Sequence, residues 1–182
     1  MRSQRQSGVT LVELMIVIAI AAILMAIGVP SYRYVTSANR VSGEINSLLG
    51  DMTFARYEAV KEGLSVQVCP AAATATTCAG SSTWSNGWIV LSNASATGGT
   101  AIVLRRQLPF SSFNSKDTLT TTSTQVVTFN REGFASGLSG VVNFSLHDIN
   151  NTSSYTRCLM LGVSGVMSTG LNGASILGTT CS

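Results

Sequence analysis

The chain has 182 residues, 45% of them hydrophobic, 7% aromatic and only 10% charged, with a formal net charge of +3 at pH 7. That length holds one anchor and one globular domain of about 120 residues with a modest core. The charge surplus, which falls to about +1 if Arg2 and Arg5 are removed, does not indicate a dedicated polyanion binder.

Met1 to Ser7 form a short polar leader carrying Arg2 and Arg5 and no acid. After Gly8 come about twenty mostly apolar residues, through Val29, interrupted by one carboxylate, Glu13. At about 1.5 Å per residue this stretch covers about 30 Å, enough to cross a bilayer. The positive flank places the leader on the cytoplasmic side. A secretory signal is cut after its apolar region, whereas here the polar-to-apolar junction comes first, so the apolar stretch is expected to stay.

A carboxylate in a membrane helix costs roughly 2.5–3.5 kcal/mol, and Glu13 therefore needs a reason. Cleavage after Gly8 supplies one. Val9 then carries a free α-amine with an ordinary pKa of about 7.7–8.0. That amine lies one helical turn from Glu13 and can pair with it within one chain or between staggered neighbours. The alternative is a plain membrane anchor with an incidental Glu.

Pro30 removes a backbone donor and disfavours helical geometry at Val29, and Gly28 adds local freedom, so a kink or a local loss of helix is expected there. Helical periodicity then resumes. Val41, Ile45, Leu48, Leu49, Met52, Ala55 and Ala59 form one apolar stripe at steps of three and four. Arg40, Glu44, Asp51, Glu58 and Lys61 lie mostly off it, and Gly63 is placed to cap the C-terminus. The whole helix, Val9 to Glu62, would be about 80 Å long if straight. Its second half is expected to lie against a sheet.

From Leu64 the pattern changes to strands: Leu64–Cys69, Gly87–Leu91, Ala101–Leu108, Gln125–Asn130, Val141–Leu146, Arg157–Val163, and a short one over Val166–Ser168. Strands after a single long helix predict an α+β fold, an antiparallel β-sheet packed on a helix. The expected divisions are a leader at 1–8, a transmembrane helix at 9–30, an amphipathic helix at 31–63 and a β-rich globular domain at 64–182. The four cysteines, Cys69, Cys78, Cys158 and Cys181, allow three pairings. Spacing favours Cys69–Cys78 and Cys158–Cys181, each closing a local loop. Zinc would need tighter pairs. An oxidising compartment would let both bridges persist.

Gly8, the run Thr10-Leu11-Val12-Glu13 and Pro30 resemble the class III signal of type IV pilins and type II secretion pseudopilins, with Val9 where most of the family has Phe. The resemblance implies cutting by a prepilin peptidase after Gly8, N-methylation of Val9, and a docking role for Glu13 in a filament built from the helices. Further along, Cys69-Pro70, Cys78, Trp84, Gly87-Trp88-Ile89-Val90, Thr128-Phe129-Asn130-Arg131-Glu132-Gly133-Phe134 and Arg157-Cys158-Leu159 resemble the GspH/FimT/FimU group of minor pilins and pseudopilins. That group implies a helix packed on β-sheets. The implied partners are other minor and major pilins, the prepilin peptidase, an inner-membrane assembly platform and the membrane itself. The implied location is the inner membrane with a periplasmic domain, then the extracellular pilus.

Little else suggests chemistry. His147-Asp148 has no G-x-S-x-G elbow to serve, and a surface histidine is expected. Gly98-Gly99 reads as a hairpin turn, not a phosphate cradle. Trp88 is expected mid-strand in the core, while Trp84 is either a contact residue or a lid. Arg105, Arg106 and Lys116, with Arg131 nearby, form either a basic patch or a solvated rim. Some relatives in the FimT branch capture DNA through a Gly-Arg-x-Arg motif. The corresponding stretch here is Gly165-Val166-Met167-Ser168, without either arginine, so DNA binding is not favoured. No catalytic residue, metal site or cofactor is expected. Three readings follow: a minor pilin that primes or caps a pilus, an adhesive or DNA-binding pilin, and a type II secretion pseudopilin.

Overall fold

The computed structural model describes residues 8–72, 76–92, 101–110, 117–122 and 126–182. The leader Met1–Ser7, the Gly98-Gly99 pair, Lys116 and Gln125 lie outside them. The chain divides into two compact units, Met1–Ala38 and Asn39–Ser182.

One helix, α1 (Leu11–Glu62), opens the fold. It begins two residues later than the apolar pattern alone suggests, because Thr10 caps it. The Glu13 N–H donates to Thr10 Oγ1 at 3.2 Å, and the Leu14 N–H to the Thr10 carbonyl at 3.1 Å. Thr10-x-x-Glu13 is the spacing of a capping box. The helix continues through Pro30. The expected local loss of helix is absent, since proline removes only one interior hydrogen bond. Gly63, at φ +67°, ends the helix in the left-handed conformation that glycine adopts without a Cβ penalty.

In the second unit the helix presents Val41, Ile45, Leu48, Met52, Ala55 and Ala59, none more than 2% exposed. Leu49 is only partly buried at the stripe's edge. Among the described residues eleven strands follow: β1 (Val66–Pro70), β2 (Trp88–Ser92), β3 (Ile102–Gln107), β4 (Thr118–Thr121), β5 (Val127–Phe129), β6 (Ala135–Ser136), β7 (Val142–His147), β8 (Arg157–Leu161), β9 (Met167–Leu171), β10 (Ser175–Ile176) and β11 (Thr179–Thr180). They form a five-stranded sheet ordered β3-β2-β1-β5-β6, a four-stranded sheet ordered β4-β7-β8-β9, and the ribbon β10-β11. Every pairing is antiparallel. The fold is α+β, with more than the single sheet expected. β4 was not anticipated. Its sequence is Thr-Leu-Thr-Thr, and only Leu119 is apolar and buried.

The main core joins the helix stripe to the inward residues of both sheets, among them Val68, Trp88, Val90, Phe129, Phe144 and Leu159. A smaller cluster occupies the other face of the first sheet, where Cys69, Ile89 and Leu91 pack with Cys78, Val103 and Val126. β2 is therefore apolar along its length because both its faces are covered: Trp88 and Val90 belong to one cluster, Ile89 and Leu91 to the other.

Candidate functional site

Gly8, Val9 and Thr10 are exposed and precede the first helical turn. Glu13 follows at the third helical position, where a negative charge also suits the partial positive charge of a helix N-terminus. From Leu11 onward the helix has an 18-residue window of mean hydropathy 2.8, none of it buried within the protein. Val9 is 71% exposed, Leu11 75% and Ile27 69%. A face this apolar and this bare needs lipid or other helices around it. Pro30 lies at its far end, in exposed helix.

Two disulfides clamp the second unit. Cys69 is joined to Cys78 (Cα–Cα 5.5 Å) and Cys158 to Cys181 (Cα–Cα 5.7 Å). The first closes a loop against the end of β1, where the Ala79 N–H donates to the Pro70 carbonyl at 2.8 Å. The second ties the C-terminus to the start of β8. At the β8–β9 hairpin Gly165 has φ +74° and packs against the Gly133 carbonyl, a fit that leaves no room for a Cβ.

Several charged side chains make tertiary contacts. Arg40 binds Asp117 through Nε to Oδ2 at 2.7 Å and Nη2 to Oδ1 at 2.8 Å, with Asp117 only 1% exposed. Burial, then the adjacent Asp117 carboxylate, push Glu44 up to about 8. Asp51 accepts the Trp88 indole N–H at 2.9 Å and an Arg105 N–H at 3.2 Å. Arg105 also lies over the Phe54 ring, 3.8 Å from its centroid. Arg56 donates to the Gly133 carbonyl at 2.9 Å. Their charge and spacing gave no sign of this, because the partners are distant in sequence.

The two adjacent arginines of the basic patch do not share a face. Arg105 turns to the helix side of β3, and its neighbour Arg106 points to the opposite face, as strand alternation requires. Arg131 pairs with Glu132 at 2.7 Å, and Lys116 is outside the described residues. Trp84 is fully buried, edge-on to Phe144 with centroids 5.0 Å apart, so it is a core residue and not a contact. Trp88 opens β2 instead of sitting in its middle, and is fully buried. His147 is half-buried, not a surface residue: its Nδ1 is 3.1 Å from Thr156 Oγ1. Asp148 is 4% exposed and accepts the Thr152 hydroxyl and N–H, fixing the β7–β8 turn. Among the described residues no group of three His, Cys, Asp or Glu is placed to hold a metal.

A bare apolar helix leading into a disulfide-clamped α+β domain defines the pilin class of fold. The family model for the type II transport protein GspH matches residues 44–165, and that for the prokaryotic N-terminal methylation motif matches residues 3–29. The chain belongs to the GspH family. It is similar in structure to the type IV minor pilin FimU of Pseudomonas aeruginosa (strain PAO1). For the P21 crystal form the TM-score is 0.57 at 19% identity, covering 79% of this chain and 96% of that one. For the P65 form the TM-score is 0.50 at 18% identity, covering 74% and 90%. At such identity the likeness is one of fold. No curated protein matches the chain.

Proposed function

We propose that the chain is a minor pilin, a structural subunit that helps prime or cap a type IV pilus and carries out no catalysis of its own. The observation that carries this is the uncovered apolar helix that begins at Leu11, capped by Thr10, two residues past Gly8. Residues 1–8 serve as the leader, 9–30 as the membrane and filament-core helix, 31–63 as the amphipathic helix, and 64–182 as the globular part. The prepilin peptidase cuts between Gly8 and Val9, and the new amine is methylated. Glu13 pairs with such an amine and sets the axial stagger between subunits. The subunit waits in the inner membrane with its globular domain in the periplasm. It enters the filament by exchanging lipid for neighbouring helices, while the globular domain docks on other minor and major pilins.

Two measurements test this reading. The mass of the membrane-bound chain is compared between cells with and without prepilin peptidase, and sheared pili are probed for the chain. A mass lower by residues 1–8 only when peptidase is present, together with recovery in pili, is the expected result. An unchanged mass, or a cut beyond Val29, rejects it. The family's own description as a type II transport protein favours one second reading, a secretion pseudopilin. Under that reading the cut still occurs, the chain is missing from pili, and its deletion blocks secretion.

A further inference from the structure

The helix carries an aromatic–cation–aromatic triplet, Tyr32-Arg33-Tyr34, just past its apolar stretch. Tyr32 is 73% and Tyr34 52% exposed, and Arg33 is exposed between them. Tyr32 stands about 30 Å along the helix from Leu11, the thickness of a hydrocarbon core. Successive helical residues are rotated by about 100°, so the three side chains leave the axis in three directions spread over more than half of its circumference. A contact with one neighbouring protein would gather its aromatics on a single face. A ring of amphipathic side chains at one height suits a planar interface surrounding the helix. The chemistry agrees: a tyrosine ring is apolar and its hydroxyl wet, and a guanidinium pairs with phosphate oxygens. The Thr36 hydroxyl donates to the Tyr32 carbonyl at 2.8 Å, so this polar group is satisfied within the helix at the same level.

We infer that Tyr32, Arg33 and Tyr34 form a girdle that seats the helix in the headgroup layer of a phospholipid bilayer, on the side opposite the leader. This rests on the anchor reading proposed above and adds to it a defined depth. The girdle fixes how far the chain projects from the membrane before assembly, and it has to leave the headgroup layer when the subunit enters a filament.

The test uses the full chain in spheroplasts and a membrane-impermeant maleimide. All four native cysteines are disulfide-bonded. Single reporters, Ile27→Cys and Val35→Cys, are therefore read without background. In the wild-type setting Val35→Cys reacts at least tenfold faster than Ile27→Cys. With Tyr32→Ala and Tyr34→Ala together, that ratio falls at least threefold as the helix slides. Tyr32→Trp with Tyr34→Trp restores it, because tryptophan also prefers the interface; this variant separates loss of the girdle from damage to the helix. An unchanged ratio in the double alanine chain, still in the membrane fraction, overturns the girdle. So does a wild-type ratio that collapses when the other pilins are deleted, since the occupant is then protein. A wild-type chain missing from the membrane fraction overturns the anchor reading and the girdle with it.

Discussion

Arg40 holds Asp117 by two parallel hydrogen bonds, 2.7 and 2.8 Å long, between groups 77 residues apart in the chain. The planar fork of arginine fits a carboxylate in this way, and Asp117 has almost no contact with solvent. Removing either partner leaves the other without its match. Arg40→Ala is expected to destabilise the domain by about 2–4 kcal/mol, less than a fully buried pair because Arg40 remains partly exposed. The double change Arg40→Met with Asp117→Leu is expected to cost far less than the sum of the two single changes. Urea unfolding of residues 31–182 made without the anchor provides the measurement, and additive costs would show the pair to be uncoupled. That segment is itself expected to be a soluble monomer, since the stripe from Val41 to Ala59 is already covered.

Glu44 makes the same corner sensitive to pH. Its folded pKa is raised to about 8 by burial and by Asp117. The folded protein therefore keeps a proton that the unfolded chain releases near pH 4.5. Protons bound by Glu44 in the folded state exceed those in the unfolded state throughout this window, so its contribution to stability is full below pH 4.5 and is lost as the pH rises to about 8. Above that the contribution is flat. Solvent reaches part of the side chain, and the loss is expected to be on the order of 1–2 kcal/mol. Glu44→Gln should remove the slope while keeping the shape. Melting temperatures from pH 5 to 9 decide it: equal slopes in the two proteins would place the titration elsewhere.

The two disulfides should differ in their effect. In the chain-entropy account a longer closed loop restrains the unfolded state more. Separations of 9 and 23 residues give the Cys158–Cys181 bridge about 0.8 kcal/mol more than Cys69–Cys78. Each is expected to contribute about 2–4 kcal/mol. Paired Cys→Ala variants of each bridge, unfolded in urea, give the order. A larger loss from the shorter loop would mean that packing around Cys69 and Ile89 outweighs chain entropy.

What the sequence made legible was periodic. Six of the seven stripe residues are buried where a period of 3.6 places them, and the apolar run of β2 marks a strand covered on both faces. What it hid was pairing at a distance. Nothing near Arg40 points to Asp117, nothing near Arg56 points to Gly133, and Asp51 meets Trp88 and Arg105 only after the sheet has formed. β4 was hidden for a related reason: threonine favours strands, but Thr-Leu-Thr-Thr offers one apolar residue and no visible alternation. Trp84 illustrates the limit for single side chains. Its burial depends on Phe144, on a strand far along the chain. The spacing of Thr10 and Glu13, by contrast, is a cap signal readable in the sequence.

That cap changes how Glu13 has to be tested. The residue sits at the third position of a helix whose cap is Thr10, so its side chain has two candidate tasks: supporting the first turn, and pairing with the Val9 amine of its own or a neighbouring subunit. Glu13→Ala removes both and cannot distinguish them. Glu13→Gln keeps a capping-box side chain and discards the charge. If the charge serves assembly, both variants should reach the membrane at wild-type level or slightly above, because a carboxylate has left the lipid. Both should then be depleted from sheared pili to a similar degree. If capping is the task, Glu13→Gln should assemble normally, and Glu13→Ala should show a loss comparable to that of Thr10→Ala, a change worth about 1 kcal/mol at a helix N-terminus. The quantities to measure are the amounts of each variant in membranes and in pili against wild type. Normal pilus incorporation of Glu13→Gln at normal membrane level would reject the charge-pairing role.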